Sequence, residues 1–151
     1  MSATIRKALE KDLTTLTEMG RIFFMEAAWG DVCEWDDLAA YESLFNMIEA
    51  DNSIILVAEQ GEKIIGMVGA VLFPLWFNPA VKMGQEFFMY VKPEYRGGVG
   101  MKLMEALESA AKDEGVHGFA MLSVENLPSL DKFYLRQGYR PSEKTFIKRL
   151  N

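Results

Sequence analysis

The chain has almost no cysteine or histidine: Cys33 and His117 stand alone among 151 residues. A single cysteine makes no internal disulfide, and one of each cannot build a zinc site, so no metal is expected. A Ser-His-Asp triad is disfavoured too, because no serine occupies a G-x-S-x-G elbow. His117 lies in Gly115-Val116-His117-Gly118 and reads as a solvent-exposed turn. No apolar run approaches the ~20 residues that cross a bilayer. The opening MSATIRKALEKD is charged within a few residues, where a secretory signal would be apolar. These absences lead us to expect one domain, no membrane association and a cytoplasmic location.

Positive charge is absent from a long stretch. Between Ile22 and Glu62 there is no Lys or Arg, but there are ten acids: Glu26, Asp31, Glu34, Asp36, Asp37, Glu42, Glu49, Asp51, Glu59 and Glu62. The remainder holds twelve acids against 16 bases, so the net charge of −6 conceals a basic remainder and an acidic wall. Such a wall attracts cations. No basic stripe interleaves with aromatics, which argues against a nucleic-acid partner.

What is present is a dense alternation of helix and strand signals. Ala3–Ala8 suits an edge strand. Asp12 is the expected N-cap of a helix reaching about Ala28, with Leu13, Leu16, Met19, Phe23 and Phe24 at helical spacing. A second helix is expected over Asp37–Ala50, with Leu38, Tyr41, Leu44, Phe45 and Ile48 on one face. Ser53–Glu59 and Lys63–Phe73 read as strands joined at Gln60-Gly61-Glu62, and Gln85–Lys92 as a third strong strand. Pro74–Pro79 reads as an aromatic loop. Val99–Glu114 is the clearest helix, stopped by Gly115; Phe119–Val124 is expected as a buried strand, Pro128–Gln137 as a short helix, and Thr145–Leu150 as a closing strand. No repeat or linker interrupts the series. The expected fold is one α+β domain over residues 1–151 with a mostly antiparallel sheet.

Three glycines fall within PEYRGGVGMKLM, residues 93–104, between a strand and a helix. A Walker A loop is excluded because no Gly-Lys-Ser/Thr follows. A dinucleotide fingerprint fails because Leu103 stands at its third glycine. Backbone amides of Gly97, Gly98, Val99, Gly100 and Met101 at a helix start suit an anion, and a pyrophosphate fits there. Arg96 adds a cation alongside. A plain tight turn is the other reading of the same residues.

The run from Val91 through Pro93-Glu94-Tyr95-Arg96-Gly97-Gly98-Val99-Gly100 resembles the acetyl-CoA signature of the GNAT N-acetyltransferase superfamily. Asn126 and Phe133-Tyr134-Leu135-Arg136-Gln137-Gly138-Tyr139 match that family's later segment, at the right distance and in the right element order. Against the frequent P-E-Y-R-G-K-G-I-G pattern this loop is one residue shorter. The resemblance implies a three-layer fold, a mixed and mostly antiparallel sheet flanked by helices, with acetyl-CoA as co-substrate and homodimers common.

It also implies roles. Main-chain groups of Glu86–Val91 would serve the pantetheine arm, with an amide around Met89–Val91 near the thioester carbonyl, and Asn126 would stand at the end of the fifth strand beside the coenzyme. Tyr134 matches the family's proton donor to the leaving thiolate, although Leu130, Phe133 and Tyr134 also make an ordinary apolar helix face. Glu86, early on the third strong strand and alternating with Phe88 and Tyr90, is the candidate general base; an exposed strand glutamate is the bland alternative. Trp29, Asp31, Glu34 and Trp35 combine aromatic faces with carboxylates and suit a cationic amine. The implied activity is acetyl transfer to a primary amine of a polyamine, an aminosugar or a lysine side chain. A non-catalytic domain of the same fold that binds CoA or a protein is the alternative.

Overall fold

The computed structural model describes residues 2–27, 29–124 and 127–151. Five strands lie side by side in chain order: β1 (Thr4–Lys7), β2 (Ser53–Gln60), β3 (Lys63–Leu75), β4 (Asn78–Val91) and β5 (Gly118–Ala120). The first three pairings are antiparallel and the β4–β5 pairing is parallel. Gly61 and Glu62 both take positive φ, 55° and 67°, as a two-residue hairpin turn between right-twisted strands demands. The mixed, mostly antiparallel sheet matches expectation.

The expected loop at Pro74–Pro79 is instead the tip of one long hairpin. β3 runs on to Leu75, β4 begins at Asn78, and only Trp76 and Phe77 turn the corner. Both prolines sit where the ladder has a free side. β2 pairs with β3 only as far as Val71, and β5 meets β4 only from Met83, so Pro74 and Pro79 remove no bond from a neighbour. Trp76 is 89% exposed at the tip, its ring edge-on to Phe77.

Helices cover both faces. α1 (Leu13–Glu26) and α2 (Asp37–Glu49) lie over Ile55, Val57, Met67, Phe88 and Tyr90. α3 (Val99–Asp113) presses Leu103, Leu107 and Ala111 onto Ile54, Leu56, Ile65 and Val68 of the other face. β2 therefore alternates its side chains between two cores. α4 (Pro128–Arg136) follows β5, and just beyond its end the Tyr139 hydroxyl donates to Glu108 of α3 at 2.6 Å.

Expectations are corrected here. Asp12 stands at the N-cap position of α1, as expected, but its side chain makes no cap bond there. Its carboxylate accepts from Arg6 at 2.8 and 3.0 Å and from the Leu9 amide at 2.8 Å, so the strong charged donor of β1 has claimed it. The apolar face of α2 is only partly covered: Leu44 is buried, but Leu38, Tyr41 and Phe45 are exposed. Thr145–Leu150 forms no strand. A strand needs a ladder, and this segment lies exposed without one, Phe146 being 83% accessible.

Candidate active site

β4 is paired along nearly its whole length with β3, from Gly66 opposite Val91 to Leu75 opposite Asn78. With β5 it pairs over Met83–Gln85 only. The strand expected over Phe119–Val124 accordingly ends at Ala120, half-buried rather than buried. Where the second ladder stops, β4 has a bulge. Gly69 faces Phe88 and Ala70 faces Glu86, leaving Phe87 as the extra residue. Phe87 and Phe88 both pack on the α1–α2 side, with their rings edge-on at 4.6 Å. Glu86 therefore does not share the face of Phe88 and Tyr90, as strict alternation predicts. Its cross-strand partner Ala70 belongs to the α3-side core, and the inserted residue carries Glu86 to that side.

Glu86 is 3% exposed, so it is not the exposed strand glutamate of the bland alternative. Its Oε2 accepts from the backbone N–H of Leu122 at 2.9 Å. Burial pushes its carboxyl up to about 7, against a smaller lowering by that amide. Tyr134, also buried, donates its hydroxyl to the carbonyl of the same Leu122 at 2.8 Å. Burial raises the phenol, and the Glu86 charge raises it further, so Tyr134 keeps its proton at neutral pH. Ser123 donates to Asp131 of α4 through its hydroxyl. The segment after β5 thus touches β4 through a side chain and α4 through two.

At the C-terminal end of β4, the glycine loop leads into α3. Gly97 and Gly98 take φ of 115° and 133°, which L side chains rarely adopt. A Cβ placed on Gly97, Gly98 or Gly100 would meet nothing within 4 Å. The bare backbone thus faces open space rather than packing. The first i→i−4 bond beyond Gly98 runs from Lys102 N–H to Gly98 carbonyl, so Val99, Gly100 and Met101 bring amides without helical partners to that space. These residues fit a pyrophosphate. Met89 and Val91 pack their side chains on the α3-side core, so main chain is what they can offer a ligand. Arg96 is more constrained than expected. Its Nε donates to the Val91 carbonyl at 2.9 Å, its guanidinium lies 5.7 Å from the Tyr90 ring centroid, and Nη2 is 3.8 Å from Glu26.

The acidic wall is less uniform than its sequence. Trp29 and Asp31 form a short exposed 3-10 turn, and Glu34 is exposed. Trp35 packs on Phe24 at 5.6 Å between ring centroids and donates to Asp37 at 2.8 Å. Its ring also lies over Gly20, and Asp36 caps α2 by accepting from Ala39. Trp35 and Asp36 are thus tied into the α1–α2 junction, while Trp29, Asp31 and Glu34 face solvent. Among the described residues, no three His, Cys, Asp or Glu side chains group as a metal site, and no helix is long and apolar enough to cross a membrane. Asn126 lies outside the described residues.

Sequence reasoning missed Leu122, whose part is played by its backbone and leaves no signature. It also missed the bulge, although the adjacent Phe87-Phe88 pair interrupts alternation and was a usable sign.

The model of the acetyltransferase (GNAT) family matches residues 16–139. No curated protein matches at a significant level. Among solved structures, a transcriptional regulator from Bacillus halodurans superposes with a TM-score of 0.82 at 20% identity, over 98% of this chain and 99% of that one. A predicted acetyltransferase from Clostridium acetobutylicum, solved with acetyl-CoA, gives 0.77 at 20% identity over 97% and 96%. An aminoglycoside acetyltransferase from an uncultured soil metagenomic sample, solved with sisomicin, gives 0.76 at 17% identity over 99% and 97%.

Proposed function

The chain belongs to the acetyltransferase (GNAT) family, and from that premise we propose that it transfers an acetyl group from acetyl-CoA to a primary amine on a cationic acceptor: a polyamine, an aminosugar or a lysine side chain. The observation that carries this reading is the open glycine cradle at the start of α3, on the strand whose β5 side parts at Glu86. Acetyl-CoA supplies an activated thioester. The amides of Gly97 to Met101 hold its pyrophosphate, with Arg96 bracing the loop against β4. The main chain of Met89 and Val91 lines the parted edge, and Asn126 joins from beyond β5.

Glu86 is assigned the general base, directly or through a water. A carboxyl near 7 is partly ionised at neutral pH and is basic enough to take an ammonium proton. Tyr134 is assigned the proton donor, since its raised phenol is always protonated and its hydroxyl turns from the Leu122 carbonyl to the departing thiolate. Trp29, Asp31 and Glu34 attract the acceptor by charge and ring face, and Trp35 fixes the junction they stand on. The acting species is taken as a cytoplasmic homodimer without nucleic-acid or membrane partners; light scattering of the purified protein checks the dimer.

The test is thiol release from acetyl-CoA in the presence of spermidine, an aminoglycoside, a lysine peptide and a neutral amino-acid amide. Fastest release with the polycations is expected. Fastest release with the neutral amide removes the cationic acceptor, and no release with any amine returns the chain to the non-catalytic binding reading.

A further inference from the structure

We infer that Glu86 is also a positioning residue: by taking the Leu122 N–H onto its carboxylate, it keeps the chain after β5 parted from β4 and so holds open the cleft that receives the acetyl-CoA arm. This rests on the acetyl-CoA reading for its consequence, though not for its geometry.

Four observations converge on it. The parallel ladder ends at Gln85 opposite Ala120, immediately before Glu86. The Phe87 bulge bends β4 at the same point and turns Glu86 toward the α3 side. The Leu122 amide, two residues beyond the ladder, finds the Glu86 carboxylate at 2.9 Å rather than a β4 carbonyl. A carboxylate stands two methylenes from its own backbone, so a strand bonded to it lies farther off than one bonded to a main-chain carbonyl. Finally, the next contacts of this segment run away from β4. Leu122 carbonyl accepts from Tyr134 at 2.8 Å and Ser123 donates to Asp131, both on α4.

A buried carboxylate is an expensive group to keep in a core, and an apolar residue would fill the volume more favourably. With an apolar residue there, the Leu122 amide loses its acceptor and must seek another. On that side β4 carries no ladder beyond Gln85, and pairing with it would close the cleft. Glutamine keeps an acceptor oxygen at the same reach but does not ionise, so it separates the wedge from the base.

The experiment compares wild type, Glu86→Gln and Glu86→Ala. Acetyl-CoA affinity is measured by calorimetry, and exchange of the Leu122 amide is measured by NMR on the ligand-free proteins. We expect Glu86→Ala to weaken acetyl-CoA binding about tenfold and to change Leu122 exchange at least tenfold. Glu86→Gln is expected to keep both within about twofold of wild type while losing the pH dependence of turnover near 7. Conservative rescue of binding without rescue of the pH profile separates the wedge from the base. Alanine binding as tightly as wild type with unchanged exchange overturns the inference, as does glutamine behaving like alanine. If wild type itself binds no acetyl-CoA, the proposed function falls, and the exchange comparison still decides the wedge.

Discussion

The two sides of β4 are built on opposite principles. Toward β3 the ladder is nearly complete, and glycine there makes room for rings: a Cβ on Gly69 would stand 2.6 Å from Phe88 and 2.9 Å from Phe87. Toward β5 the ladder stops after Gln85; within it Gly84 and Gly118 also make room for side chains, Phe119 and Met83, and only the loop glycines beyond the end of β4 face empty space. One side spends its backbone on itself. The other leaves backbone groups available, and the polar side chains Glu86 and Tyr134 take over the work of holding neighbours in place. Glycine thus makes room for packing inside both ladders and leaves bare backbone only beyond them, and that is where function can enter.

The largest expected effect breaks the closed side. Gly69→Val forces a branched side chain into the Phe87 and Phe88 rings and should destabilise the domain by about 3 kcal/mol. In a thermal melt that is a fall of roughly 6–12 °C; an unchanged melt would show the seam to be slack. On the open side, Tyr134→Phe should lower turnover about a hundredfold, with acetyl-CoA affinity within about twofold of wild type. Stopped turnover assays beside a titration check this, and unchanged turnover rejects the proton donor.

Next comes the pH dependence of Glu86. Its folded carboxyl is raised to about 7 from the 4.5 of an exposed glutamate. The folded state therefore holds a proton that the unfolded chain has lost. The associated stability is fully present below about pH 4.5 and disappears as pH rises through about 7, a change on the order of 2–3 kcal/mol. Chemical denaturation from pH 5 to pH 8 should show this slope in wild type and not in Glu86→Gln. The smallest effect sharpens the contrast between glycines. Gly100→Ala meets no atom within 4 Å and improves helix propensity, so stability should rise by roughly 0.5–1 kcal/mol. Acetyl-CoA affinity should fall about tenfold as the methyl enters the cradle. A stabilised variant with undiminished affinity would remove Gly100 from the site.

Much of this was legible in the chain. The helix over Val99–Glu114, the hairpin at Gly61 and the glycine loop follow from local rules of periodicity, turn chemistry and helix ends. What escaped depends on partners far away in sequence. Asp12 was diverted by Arg6, and α2 leaves Leu38 and Phe45 exposed. Thr145–Leu150 has the composition of a strand but pairs with neither edge of the sheet. In the site, residue types at Glu86 and Tyr134 were readable. Their common attachment to Leu122 was not, because any residue but proline offers the same backbone.

Whether the open backbone beside β4 receives acetyl-CoA is decided by a calorimetric titration of the wild type with acetyl-CoA, paired with a thermal melt. The account predicts saturable one-to-one binding and, at about a hundred times the dissociation constant, ~2.7 kcal/mol of added stability, a shift of roughly 5–10 °C. Neither heat nor shift at millimolar acetyl-CoA would contradict it.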